Sequence, residues 1–122
     1  KHVNVSQIKT YVASTAPSGG AVTQSSNKTT TVNIDKYTGK ITTHDQDITA
    51  NTEVNFTLTN SAIGADDVVV VGHRSGGNLG DYLIQAHSMG SGSCEISIRN
   101  LTNGTLGQAL VINFVVIKGS DS

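Results

Sequence analysis

The chain has 122 residues, enough for one domain with a modest core, and its single cysteine, Cys94, excludes an intrachain disulfide. Eight basic residues against nine acidic ones leave no basic stripe of the kind nucleic-acid binding needs. No apolar run nears the roughly 20 residues that span a bilayer, so no membrane partner is expected.

Only 14% of residues are charged, with one Pro and no Trp, while Val, Ile, Thr, Ser and Asn are plentiful; this composition favours strands over helices. Residues 1–13, KHVNVSQIKTYVA, differ from the rest. Val3 and Val5 alternate as in a short strand, Ser6 can cap a short helix, and Ile8, Tyr11 and Val12 share one helical face. A helix this short must dock on something to persist, which marks Val5, Ile8, Tyr11 and Val12 as anchor candidates. Residues 14–31 are low in hydrophobicity and rich in Ser, Thr and Gly, and read as a linker. The expected organisation is an anchoring arm and linker over 1–30, a β-domain over 31–118 and a flexible tail over 119–122.

From residue 32 the apolar period becomes two. Short strands are predicted at 31–34 and 39–43, followed by TEVNFTL at 52–58 with Val54, Phe56 and Leu58 on one face. The valine run 68–71 is next, then 81–87 with Tyr82, Ile84 and Ala86 aligned. In 93–101, Cys94, Ile96 and Ile98 point inward while Ser97 and Arg99 point outward. Asn103-Gly104 marks a turn before the longest apolar strand, 109–117. Seven or eight short strands without intervening helices predict an all-β fold, an antiparallel β-sandwich or jelly-roll-like domain behind a short N-terminal strand-helix arm. FTLTN (56–60) and ISIRN (96–100) form a weak internal echo, each leading through a turn into an unbroken apolar strand.

A strand with one solvated face should alternate, yet Val68–Val71 and Leu110–Val116 barely do. Either a neighbouring subunit covers their second faces, or the N-terminal arm folds back over them. The first option implies a homo-oligomer with Val68, Val70, Val111, Phe114 and Val115 at the subunit interface.

The stretch GHRSGG (72–77) is the most site-like piece, but it lacks the Lys-Ser/Thr ending of a phosphate loop and the frame of a nucleophile elbow. Ser75 could in principle be completed to a triad by His87 and one of Asp66, Asp67 or Asp81, which are nearby in sequence, but any Ser-rich chain supplies such sets. It reads instead as a Gly-rich connection whose His73, Arg74, Asn78 and Asp81 are candidates for surface contact. The four histidines lack metal-ligand spacing, and THDQD (43–47) reads as a polar turn rather than a calcium loop. Sequons at Asn27, Asn55 and Asn100 arise readily in such a composition. No cofactor, metal or catalytic group is expected.

KHVNVSQIKTYV resembles the strand-plus-helix segment of bacteriophage tail-fibre and appendage proteins. TGKITT, FTLTNS and the closing ALVINFVVIK resemble a small C-terminal β-domain of phage virion proteins of the tail-fibre, head-fibre or capsid-decoration type. That resemblance implies a structural protein on the particle exterior, trimeric, joined to other virion proteins through its N-terminal arm and without catalysis. A module that binds a host-surface receptor or glycan is the alternative.

Overall fold

The computed structural model describes residues 19–119; the anchor candidates Val5, Ile8, Tyr11 and Val12, and the predicted short helix, lie outside them. Eight strands are present: β1 (Gly20–Thr23), β2 (Val32–Asn33), β3 (Thr38–Thr42), β4 (Glu53–Thr59), β5 (Val68–Ser75), β6 (Tyr82–Gly90), β7 (Ser93–Asn100) and β8 (Val111–Ile117). They form two four-stranded sheets, sheet A in the order β1-β3-β8-β5 and sheet B in the order β2-β4-β7-β6. The fold is all-β and sandwich-like, with no helix among the described residues.

The wholly antiparallel arrangement expected from the sequence needs correction. β1 pairs with β3 in parallel, as does β2 with β4, so both sheets are mixed. The cause is the path of the chain. From β1 to β4 each connection crosses to the opposite sheet, so β3 returns beside β1 and β4 beside β2 in the same direction. Strand spacing in a sequence does not separate such crossings from hairpins. The linker reading also stops at Gly20, because β1 takes its ladder from β3 rather than from apolar side chains of its own.

The last two strands complete the structure. β7 lies between β4 and β6 in sheet B, and β8 lies between β3 and β5 in sheet A. Ile41 and Ile112 of sheet A and Phe56, Leu58, Ile96 and Ile98 of sheet B are all at most 1% exposed. Each buried aliphatic side chain of this kind contributes about 1.5–3 kcal/mol relative to full exposure. Phe114 covers Gly39 of β3 so closely that a Cβ there would come within 2.5 Å of its ring.

Both strands that open the internal echo end on a buried asparagine. Asn60 follows β4 and Asn100 ends β7, and each is 0% exposed. Asn60 Nδ2 donates to the Lys36 carbonyl (2.7 Å) while its Oδ1 accepts the Ala62 N–H (2.9 Å). Asn100 Nδ2 donates to the Ile48 carbonyl (3.0 Å) while its Oδ1 accepts the Thr102 N–H (2.8 Å). Each side chain closes a turn onto its own backbone two residues on and ties the corner to a distant segment. Because β4 and β7 run antiparallel, the two corners sit at opposite ends of that strand pair.

Candidate functional site

The valine strand alternates after all. Val69 is buried, Val71 is half-buried, and Val68 and Val70 are 54% and 48% exposed on the outer face of sheet A. β8 behaves the same way: Ile112, Phe114 and Val116 are buried, while Val115 and Ile117 are 37% and 51% exposed. Register joins the exposed residues across the strands, Val68 opposite Ile117 and Val70 opposite Val115. The product is two adjoining apolar rows on one face. Val111 lies on the same face but is half-buried. Phe114 does not belong to this surface. Strand alternation turns its ring into the core, so its assignment to an interface is corrected. Ile117, missed from sequence, takes its place.

The rows end in a charged clamp. One residue beyond the Val68–Ile117 pair, the Asp67 carboxylate meets Lys118 Nζ and also accepts the backbone N–H groups of Gly119 (2.9 Å) and Gly64 (2.7 Å). The Lys118 bond, followed by those two amides, lowers the Asp67 pKa to about 2.

The stretch GHRS is strand rather than loop. β5 continues through Ser75 with a bulge between His73 and Ser75. His73 is half-buried, its ring edge-on to Tyr82 with centroids 5.8 Å apart. Its Nε2 donates to the Gly76 carbonyl (2.6 Å), so His73 braces the turn and is not free for contact. Gly76 and Gly77 have φ of 81° and 65°, and a side chain on either would run into Ala109–Leu110. Asn78 is exposed and its carbonyl accepts the Asp81 N–H (3.2 Å). Asp81 is half-buried, and its carbonyl accepts the Leu101 N–H (2.9 Å). Arg74 stays exposed at the bulge, and Leu79, unremarked in the sequence, is 91% exposed at the tip. The structure therefore separates the four contact candidates: His73 and Asp81 hold the turn, while Arg74 and Asn78 face outward.

The possible triad around Ser75 is not assembled. Asp67 is bound to Lys118, and His87 points at Ser97 on the other sheet. That second pair has short geometry, with His87 Nε2 2.6 Å from Ser97 Oγ. Ser97 Oγ, however, donates its proton to Asn55 Oδ1, so His87 Nε2 is the donor and takes no proton from the serine. Its Nδ1 faces Ser88 Oγ (2.8 Å) rather than a carboxylate. This chain forms part of a polar ladder over sheet B that also includes Thr57 Oγ1 to Glu95 (2.7 Å) and Arg99 to Glu53 (3.9 Å).

Among the described residues no group of three or more His, Cys, Asp or Glu is placed to hold a metal ion. Residues 43–47 wrap a fully buried Lys28 instead: Nζ donates to the Gln46 carbonyl (2.6 Å), and burial lowers its pKa against the opposing pull of Asp45 and Asp47. Cys94 is buried, and burial with Glu95 alongside pushes its thiol up to about 11, which suppresses thiolate chemistry. Compared with known proteins, the chain matches no family model, no curated protein and no solved structure.

Proposed function

We propose that the protein is a non-catalytic structural module of a phage virion, displayed on the particle exterior as a homo-oligomer, with a trimer as the expected state. The observation that carries this reading is the pair of apolar rows, Val68 with Ile117 and Val70 with Val115, left exposed by the described residues on the outer face of sheet A. Contiguous exposed apolar side chains mark association surfaces, and here they sit on regular strands that hold them in fixed register. The sequence resemblance supplies the virion context, and its N-terminal segment is the part that would join other virion proteins.

Size-exclusion chromatography with light scattering tests the assembly at micromolar concentration. The intact chain should run at three times its 12.7 kDa mass, and the double variant Val70→Lys/Val115→Lys at one. A monomeric wild-type chain overturns the oligomer.

A second reading, a module that binds a host-surface receptor, draws on the exposed turn after β5, where Leu79 projects at 91% exposure beside Asn78. Unchanged adsorption to host cells by particles carrying Asn78→Ala/Leu79→Ala would remove that turn from consideration.

A further inference from the structure

The outer face of sheet A differs from the rest of the surface in charge. The chain has nine acidic residues, yet no outward position of the four strands of sheet A is Asp or Glu. Two cations stand there, Lys40 of β3 and Arg74 at the β5 bulge. Both are exposed, and neither has an ion-pair partner among the described residues. Elsewhere Arg99 is held by Glu53, Lys118 by Asp67, and Lys28 is buried, while Lys36 is exposed in the turn between β2 and β3.

Lys40 and Arg74 line one open trough of about 420 Å³, and Asn113 of β8 lies between them. Lys40 is opposite Asn113, and Asn113 is opposite Gly72 on the next strand. The Asn113 side chain lies over Gly72, where a Cβ would come within 2.7 Å of Asn113 Oδ1. The Asn113 amide has no hydrogen-bond partner among the described residues and is exposed to whatever enters.

We propose that this trough binds a carboxylated oligosaccharide, with carboxylates on separate sugars reaching Lys40 and Arg74 and a hydroxyl meeting the Asn113 amide. The cations stand on strands two spacings apart, roughly 10 Å between backbones, so a ligand with charges on separate units can meet each cation above its own strand. An acidic peptide fits less well, because the trough lies on the face of the sheet rather than along an edge where a peptide backbone adds as a strand. The Asn113 amide beside the bare backbone of Gly20 and Gly39 suits sugar hydroxyls. The site sits one row beyond the apolar pairs on β8 and needs neither the oligomer nor the virion reading.

Calorimetric titration of the full chain at low salt tests it with four probes: trigalacturonate, its uncharged methyl ester, hexaglutamate and inorganic phosphate. Trigalacturonate should bind, the methyl ester should not, and raising the salt should weaken the complex. Lys40→Gln and Arg74→Gln should each weaken it about tenfold, one charge-assisted contact apiece. Both side chains are exposed, so thermal melts of the variants should match wild type and exclude misfolding as the cause. Equal binding of the methyl ester, unchanged affinity in both variants, or no binding of trigalacturonate overturns the site. Hexaglutamate binding as tightly as the sugar makes it an acidic-peptide site and overturns the saccharide assignment. Full competition by phosphate leaves an adventitious ion only.

Discussion

The two outer faces of the sandwich are built from strands of similar length and opposite logic. On sheet B the outward side chains of β4 and β7 are largely used inside the molecule: Glu53 with Arg99, Asn55 with Ser97 and His87, Thr57 with Glu95. Such cross-strand pairs contribute roughly 0.2–1 kcal/mol each to the isolated chain. Leu83 of β6 is the large apolar side chain exposed on that face. On sheet A the Val68–Ile117 and Val70–Val115 rows contribute little until something covers them, and Lys40 and Arg74 stand without counter-ions among the described residues. One face is completed by its own side chains; the other is left open by the described residues, which is the basis of the proposed association. A surface that looks wasteful in the monomer is where function should be sought.

The largest effect expected is one on which the two sheets agree. Ile98 and Ile112 face each other's sheet from within and are both 0% exposed. Truncation of either, Ile98→Ala or Ile112→Ala, should cost about 3 kcal/mol, read as a drop in the urea midpoint. Unequal costs would mean that one sheet is packed less tightly, and the difference between the outer faces would then extend into the core.

The next effect separates the faces. Ser97→Val removes the hydroxyl that joins His87 to Asn55 at a position only 7% exposed, and should cost about 1 kcal/mol in the same assay. Val70→Thr, of similar shape on the opposite face, should change the stability of the dissociated chain by less than about 0.5 kcal/mol. If Val70→Thr is the more costly of the two under dissociating conditions, the apolar rows are already covered by this chain, and the contrast fails.

Much of this arrangement is legible in the sequence, and what is hidden has definite causes. Where polar and apolar residues alternate, as in Phe56–Leu58 and Cys94–Ile98, the inward face is read correctly. Where every position is apolar, alternation is invisible, so Phe114 and Ile117 exchange roles between core and surface. β1 is missed because a ladder with β3, not hydrophobicity, makes it a strand. The echo FTLTN and ISIRN is visible, but its meaning, two buried corner asparagines, depends on carbonyls far along the chain. Lys40, Asn113 and Arg74 are distant in sequence and meet only through register, so no local motif announces the trough.

The smallest effect is a pH dependence at the end of the apolar rows. Asp67 and Lys118 extend the Val68–Ile117 pairing by one step, and the Asp67 pKa is lowered to about 2 by Lys118 and the amides of Gly119 and Gly64. The unfolded chain binds that proton near pH 3.8, so the folded state holds it less tightly. The clamp's contribution is therefore complete above about pH 4, and it is lost as pH falls through the folded value near 2. Denaturation midpoints of wild type and Asp67→Asn should run parallel above pH 4 and converge between about pH 4 and 2, with the wild type losing its advantage there. The variant lacks the titrating group, so other carboxylates cancel in the difference. If the two curves stay a constant distance apart through that window, Asp67 is not clamped by Lys118 in solution. The free ends of β5 and β8 would then fray, and the apolar rows would lose the fixed register on which the proposed association rests.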